Sequence, residues 1–76
     1  MINQVQEWET QEAQRFFASA ARLDQEADRW AETARECGEF APELAQGFLD
    51  LAENTHKRAS ACRAHARDCT SRAAKA

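Results

Sequence analysis

Two sets of side chains in this sequence have the types and spacing of metal ligands. In the first set, Glu53 and His56 are one helical turn apart in the chain. A Glu-x-x-His pair of this kind ligates iron in carboxylate-bridged four-helix bundles, together with glutamates from facing helices. The antiparallel pairing derived below places Glu26 across from Glu53, so an iron site at Glu26, Glu53 and His56 is geometrically possible. The interpretation we favour is a solvent-exposed pair on a glutamate-rich helix.

The second set consists of Cys62, His65 and Cys69, spaced by three and four residues. This spacing puts the three side chains on one face of a helix, and thiolate with imidazole suits zinc or copper(I). A single helix cannot surround a tetrahedral ion, and Glu9, predicted to lie opposite Cys69, is a candidate fourth ligand. The interpretation we favour is that the cysteines are reduced, small, buried apolar residues and that no cofactor is bound; the metal site is the alternative. Cys62 and Cys69 lie about 10 Å apart along a helix, too far for a disulfide.

The charge is unevenly distributed along the chain. Residues 1–55 carry twelve acidic and four basic side chains, whereas residues 56–76 carry six basic side chains and one acidic one. Arg58, His65 and Arg72 recur every seven residues and form one stripe of a helix. This basic segment favours either ordinary complementation of the helix dipole or a surface for an acidic protein or nucleic acid. No aromatic residue is interleaved with the cations for base stacking.

Heptad spacing predicts the elements that position these side chains. In the second half, alanine recurs every seven residues (Ala45, Ala52, Ala59, Ala66 and Ala73), and the first half repeats the pattern (Ala13, Ala20, Ala27 and Ala34). Larger residues alternate with these alanines, such as Phe16, Leu23 and Trp30. Opposing residues with numbers summing to about 79 then set alanine against alanine. The pattern predicts an all-α fold: one antiparallel helical hairpin, an alanine-rich coiled coil spanning residues 1–76.

The predicted turn is the only break in the helical pattern. We expect helix 1 over about 2–37, the turn at 38–41 and helix 2 over about 42–74. Gly38 is predicted in the left-handed conformation after a helix end, and Pro42 in the first turn of the next helix. Phe40 is expected to fold back over the turn. Gly47 lies inside helix 2, as either a close backbone approach or a tolerated flaw.

A chain of 76 residues buries only a small core, and this hairpin leaves several apolar side chains beside its seam. We therefore predict that two hairpins associate as a homodimeric four-helix bundle. Trp8, Phe17 and Leu51 are predicted to contact the second subunit or a protein partner. Arg58, His65 and Arg72 are predicted to form a charged rim around those contacts.

The composition favours a binding protein over an enzyme. Two glycines cannot build a phosphate-binding loop, and a thin hairpin offers no enclosed pocket. No apolar run approaches the length of a membrane span, and no signal peptide is apparent, so a cytoplasmic location is expected. We predict a small non-enzymatic adaptor or regulatory module that self-associates and binds a macromolecule. The alternatives are a metal-binding four-helix bundle and a nucleic-acid-binding hairpin dimer that uses residues 56–76.

Overall fold

A computed structural model describes residues 3–76 and contains two helices joined by a short turn. Helix α1 spans Gln4–Cys37 and helix α2 spans Pro42–Lys75. They pack against each other along their whole length as an antiparallel hairpin with extents of 62 × 13 × 10 Å. The predicted all-α hairpin is confirmed, with helix bounds within two residues of the expected ones. Ile2, predicted in helix 1, lies outside the described residues.

The starts of the two helices are stabilised in different ways. Asn3 precedes α1, and its Oδ1 accepts hydrogen bonds from the backbone N–H groups of Val5 (2.9 Å) and Gln6 (3.3 Å). This satisfies two of the donors that a helix start leaves unpaired. Pro42 occupies the start of α2, as predicted, where its missing N–H costs nothing.

The turn differs from its prediction at two residues. Gly38 has φ −60° and ψ −32°, so the predicted left-handed conformation is wrong. A Cβ atom at Gly38 would lie 3.2 Å from the carbonyl oxygen of Ala34, so glycine provides space rather than a special backbone angle. The expectation that Phe40 folds back over the turn is also wrong. Phe40 is 79% exposed, so its side chain does not pack over the turn.

The seam between the helices is built from alanine methyl groups. Ala13 packs with Ala66 near one end of the hairpin, and Ala34 packs with Ala45 near the other. Both pairs fit the predicted sum of 79, so the register is confirmed. All nine heptad alanines are buried, which allows the two backbones to lie close together.

Larger side chains flank the alanine seam. Trp30 stacks on Phe48 with ring centroids 5.5 Å apart and an interplanar angle of 10°. Phe16 packs against Ala13, Ala66 and Cys69. Gly47 has no neighbour within 4 Å of an added Cβ atom, which leaves the interpretation as a tolerated flaw. Neither described helix contains a stretch apolar enough to cross a membrane.

Candidate functional site

The residues of the predicted iron set are not brought together. His56 Nδ1 lies 2.9 Å from Oδ1 of Asp24, and its Nε2 lies 3.7 Å from Oδ1 of Asp28. Glu53 pairs instead with Lys57 on its own helix, at 3.5 Å. Glu26 lines a groove with Arg22 and Arg58. His56 therefore faces two aspartates of α1 rather than the two predicted glutamates.

Asp24 is the centre of an ionic cluster that links the helices. Arg63 Nη1 donates to Asp24 Oδ2 at 2.6 Å, while His56 contacts the other carboxylate oxygen. The hydrogen bond from His56, followed by that from Arg63, lowers the pKa of Asp24 below its ordinary 3.8. This cluster stabilises the register of the hairpin, and a carboxylate already shared by two basic groups is a poor iron ligand.

The predicted zinc or copper set is only partly assembled. Cys69 Sγ lies 3.6 Å from Nε2 of His65, but Cys62 is half-buried in the groove beside Leu23 and Arg58. Within residues 3–76, no group of three or more His, Cys, Asp and Glu side chains is arranged to hold a metal ion. The geometry therefore gives neither metal prediction support. All three cysteines are free of disulfides, as expected from their spacing.

Glu9 does lie opposite Cys69, as the register predicts, but a guanidinium neutralises it. Glu9 is only 7% exposed, and its Oε1 accepts a hydrogen bond from Arg72 Nε at 3.0 Å. Arg72 Nη2 also donates to Cys69 Sγ, at 3.3 Å. The Arg72 hydrogen bond lowers the pKa of Glu9, and the same bond raises the pKa of Arg72. Arg72 thus occupies the position where a metal cation would compensate Glu9.

Burial suppresses the reactivity of Cys69. Desolvation, followed by the neighbouring Glu9 carboxylate, raises the pKa of the Cys69 thiol above its ordinary 9.0. A thiol is nucleophilic and metal-binding only as the thiolate, so this environment keeps Cys69 in its unreactive form at neutral pH. Phe16 closes the cluster, with its ring 4.2 Å from that of His65 in an edge-on arrangement.

The predicted partner-binding residues lie on the surface. Trp8 is 57% exposed and Leu51 is 41% exposed, and Phe17 is similarly accessible. The large apolar side chains at the surface are Val5, Trp8, Phe17, Phe40, Leu44, Leu49 and Leu51. Of the predicted rim, Arg72 is engaged by Glu9, whereas Arg58 lines the open groove between the helices. These side chains are distributed along the rod, from Val5 near the chain ends to Phe40 at the turn.

Three basic side chains of the 56–76 segment are paired with carboxylates. Arg63 pairs with Asp24, Arg72 with Glu9 and Lys57 with Glu53. Two of these pairs join the helices, so part of the basic charge contributes to the hairpin itself. Fewer cations then face outward than the charge count suggests, which weakens the case for a phosphate-binding surface.

Two members of these clusters, Asp24 and Arg63, were not singled out from the sequence. Both lie four residues after a buried alanine, Asp24 after Ala20 and Arg63 after Ala59. Positions at this offset flank the seam on the side away from Trp30 and Phe48. The sequence signal that could have predicted this ion pair was the presence of opposite charges at that position on the two helices.

The surface offers two open grooves. One, of about 410 Å³, runs between the helices and is lined by Ser19, Arg22, Leu23, Glu26, Arg58 and Cys62. The other, of about 710 Å³, follows the outer side of α1 beside Trp30. A comparison with models of protein families, with curated proteins and with solved structures finds no significant match. The function is therefore argued from these surfaces alone.

Proposed function

We propose that this protein is a small non-enzymatic helical interaction module, which associates with a second copy of itself and binds a macromolecular partner. The observation that carries the proposal is the contrast between seam and surface. Alanine fills most of the buried seam, whereas seven large apolar side chains among residues 3–76 are exposed. A chain with its methyl groups inside and its leucines outside can bury further apolar surface by association.

The polar clusters support a binding role over catalysis. The two carboxylates with a lowered pKa, Glu9 and Asp24, are each held by an arginine of the other helix. Such carboxylates remain ionised at neutral pH and are not poised to exchange protons with a substrate. The grooves beside them are open to solvent, whereas most enzymes act in concave, enclosed sites.

Sedimentation at micromolar concentration tests self-association. The chain has a mass of 8.6 kDa, and we expect a species of twice that mass that dissociates on dilution. Leu51→Glu should lower the dimer fraction at least tenfold, because it would bury a charge in the interface. Leu49→Glu is a matched control, since Leu49 is 45% exposed but lies on the opposite side of the hairpin. A monomer at all concentrations up to about 100 µM would contradict the proposal.

A further inference from the structure

The hairpin has two unlike sides, and one of them combines apolar residues with opposite charges. We call it the groove face. From α1 it includes Phe16, Leu23 and Trp30, and from α2 it includes Phe48, Cys62 and the stripe of Leu44, Leu51, Arg58, His65 and Arg72. The Trp30–Phe48 stack, the Phe16–His65 contact and the shared groove of Leu23, Cys62 and Arg58 place these residues on one side. The Asp24 cluster lies on the opposite side.

The glutamates on one edge of the groove face lie opposite basic residues on the other edge. The edge formed by α1 has Glu12 and Glu26, fourteen residues apart on one heptad stripe. Glu12 also pairs with Arg15 on its own helix at 3.8 Å, and Glu26 lines the groove beside Arg22 and Leu23. The edge formed by α2 has Arg58, His65 and Arg72, and Arg72 is already paired with Glu9 of its own chain. Because residues whose numbers sum to 79 lie at the same height, Arg58 is level with Ala21 and His65 is level with Gln14.

From this arrangement we infer that the groove face binds a second copy of the chain in the parallel orientation, with the two turns at the same end of a four-helix bundle. This inference rests on the proposed self-association and adds its surface and its direction. A two-fold axis along the hairpin sets α1 of one subunit against α2 of its partner. The acidic edge of each subunit then faces the basic edge of the other.

In the parallel orientation, the opposite charges of the two subunits also lie at similar positions along the hairpin axis. Along the hairpin axis, Glu12 of one subunit and His65 of the other are offset by two helical residues, about 3 Å. Glu26 lies about 7.5 Å along the axis from the level of Arg58, a distance that a glutamate and an arginine side chain together span. Each pair occurs twice because of the two-fold symmetry.

In the antiparallel orientation, like charges would face each other across the interface. Opposing the two groove faces head to tail sets α1 against α1 and α2 against α2. Glu26 then faces Glu12 of the other subunit, and Arg58, which is level with the middle of α1, faces its own copy. Like charges at an interface disfavour association, so this arrangement is the weaker one.

The distribution of apolar side chains leads to the same orientation. Trp30, Leu44, Phe48 and Leu51 lie in the half of the groove face nearest the turn. The half nearest the chain ends has one large apolar side chain, Phe16, among Glu9, Glu12, His65 and Arg72. Parallel association covers the apolar half of one subunit with the apolar half of the other. The hairpin extends 62 Å by 13 Å, so the groove face can contact a second copy along the whole rod.

Spin labels at the turn would measure the orientation. The label would be attached at Glu39→Cys, an exposed turn residue, in a chain with Cys37, Cys62 and Cys69 replaced by alanine. We expect an interlabel distance below about 30 Å by double electron–electron resonance, because packed helices lie 8–10 Å apart. A distance near 60 Å, close to the 62 Å length of the hairpin, would overturn the parallel orientation.

Charge reversal tests the inference with all native cysteines present. In the parallel dimer, Glu26→Arg or Arg58→Glu should each raise the dimer dissociation constant about three- to tenfold, because two symmetric pairs are lost. Combining the two substitutions should restore the original value. In the antiparallel dimer, Glu26→Arg would instead face Glu12 and strengthen association.

The outcomes separate the two proposals. A dimer with distant turn labels, or one strengthened by Glu26→Arg, overturns the orientation and leaves self-association standing. A dimer unaffected by both reversals but weakened by Leu49→Glu overturns the groove face as the interface. Absence of any dimer in the unmodified chain overturns self-association and the orientation together.

Discussion

At the scale of single residues, the packing of the hairpin depends on the small side chains of alanine. Ala59 is fully buried and Ala20 nearly so, and both lie on the seam between the helices. A methyl group is the largest substituent that such a contact accommodates without moving a backbone. A larger side chain in a close-packed interface forces backbone and side-chain shifts. The free-energy cost of these shifts exceeds the gain from the added apolar burial.

Ala59→Leu is therefore expected to lower the free energy of unfolding by about 1–3 kcal/mol. Urea denaturation followed by circular dichroism would measure the loss. Ala61→Leu, two residues away on the exposed side of α2, is the control and should change stability little. Equal effects of the two substitutions would mean that the alanine contact does not constrain the helices.

Glu9 and Asp24 make the stability of the fold dependent on acid pH. Arg72 lowers the pKa of Glu9 below 4.5, and His56 and Arg63 lower the pKa of Asp24 below 3.8. The unfolded chain therefore takes up these protons at a higher pH than the folded chain does. Their stabilising contribution is complete above about pH 4.5 and is lost as the pH falls through the lowered values.

We expect the urea midpoint to decrease as the pH is lowered from about 6 to about 3. Glu9→Gln should reduce the midpoint at pH 6 and make its decline with pH shallower, because one of the linked protons is removed. Glu7→Gln, an exposed position in the first turn of α1, should leave the decline unchanged. An equally steep decline in the Glu9 and Glu7 variants would contradict the role of the Glu9–Arg72 pair.

The contacts of residues on the seam could be predicted from the sequence, whereas the contacts of residues beside the seam could not. The heptad alanines determine the register, and the register alone places Glu9 opposite Cys69. Long flexible side chains at the flank can reach several partners, so His56 pairs with Asp24 and Asp28 instead of the predicted Glu26. Arg72 reaches the Glu9 carboxylate for the same reason, and this contact changes a metal-like cluster into a structural ion pair.

At the scale of the elements, the two helices owe their length to composition and their ends to individual residues. Alanine, glutamate, glutamine and arginine favour helix throughout, and Asn3 and Pro42 fix the two starts. The turn was predicted in position but not in conformation, because Gly38 serves to admit the Ala34 carbonyl group. The steric need was not visible in the sequence pattern.

Gly47 is the weakest point in α2, and replacing it should strengthen the helix. An added Cβ meets no atom within 4 Å, so Gly47→Ala is expected to raise the free energy of unfolding by about 1 kcal/mol. Gly38→Ala is the paired control, because its added Cβ would lie 3.2 Å from the carbonyl oxygen of Ala34. This close contact should offset the gain in free energy of unfolding that alanine provides over glycine. A neutral or destabilising Gly47→Ala in urea denaturation would show that the glycine contacts a partner instead.

At the scale of the whole molecule, the hairpin is a thin rod with a small interior. Extents of 13 Å and 10 Å across the rod leave room for one seam between two helices and for no third layer. Within residues 3–76, each side chain of valine, leucine, phenylalanine and tryptophan therefore remains exposed or only half-buried. Assembly with another chain is the route by which this fold can bury its leucines and aromatic rings, which is why the proposed function is one of association.

The position of the two chain ends has a mechanical consequence. Gln6 Nε2 donates to the carbonyl oxygen of Ala73 at 3.1 Å, so the start of α1 and the end of α2 are adjacent, at the end of the rod away from the turn. Tension applied between these ends would load the contacts one heptad at a time, in an unzipping geometry, instead of shearing all of them together. An optical trap should therefore record opening at low force, beginning at the Gln6–Ala73 hydrogen bond and reaching the Ala34–Ala45 contact last.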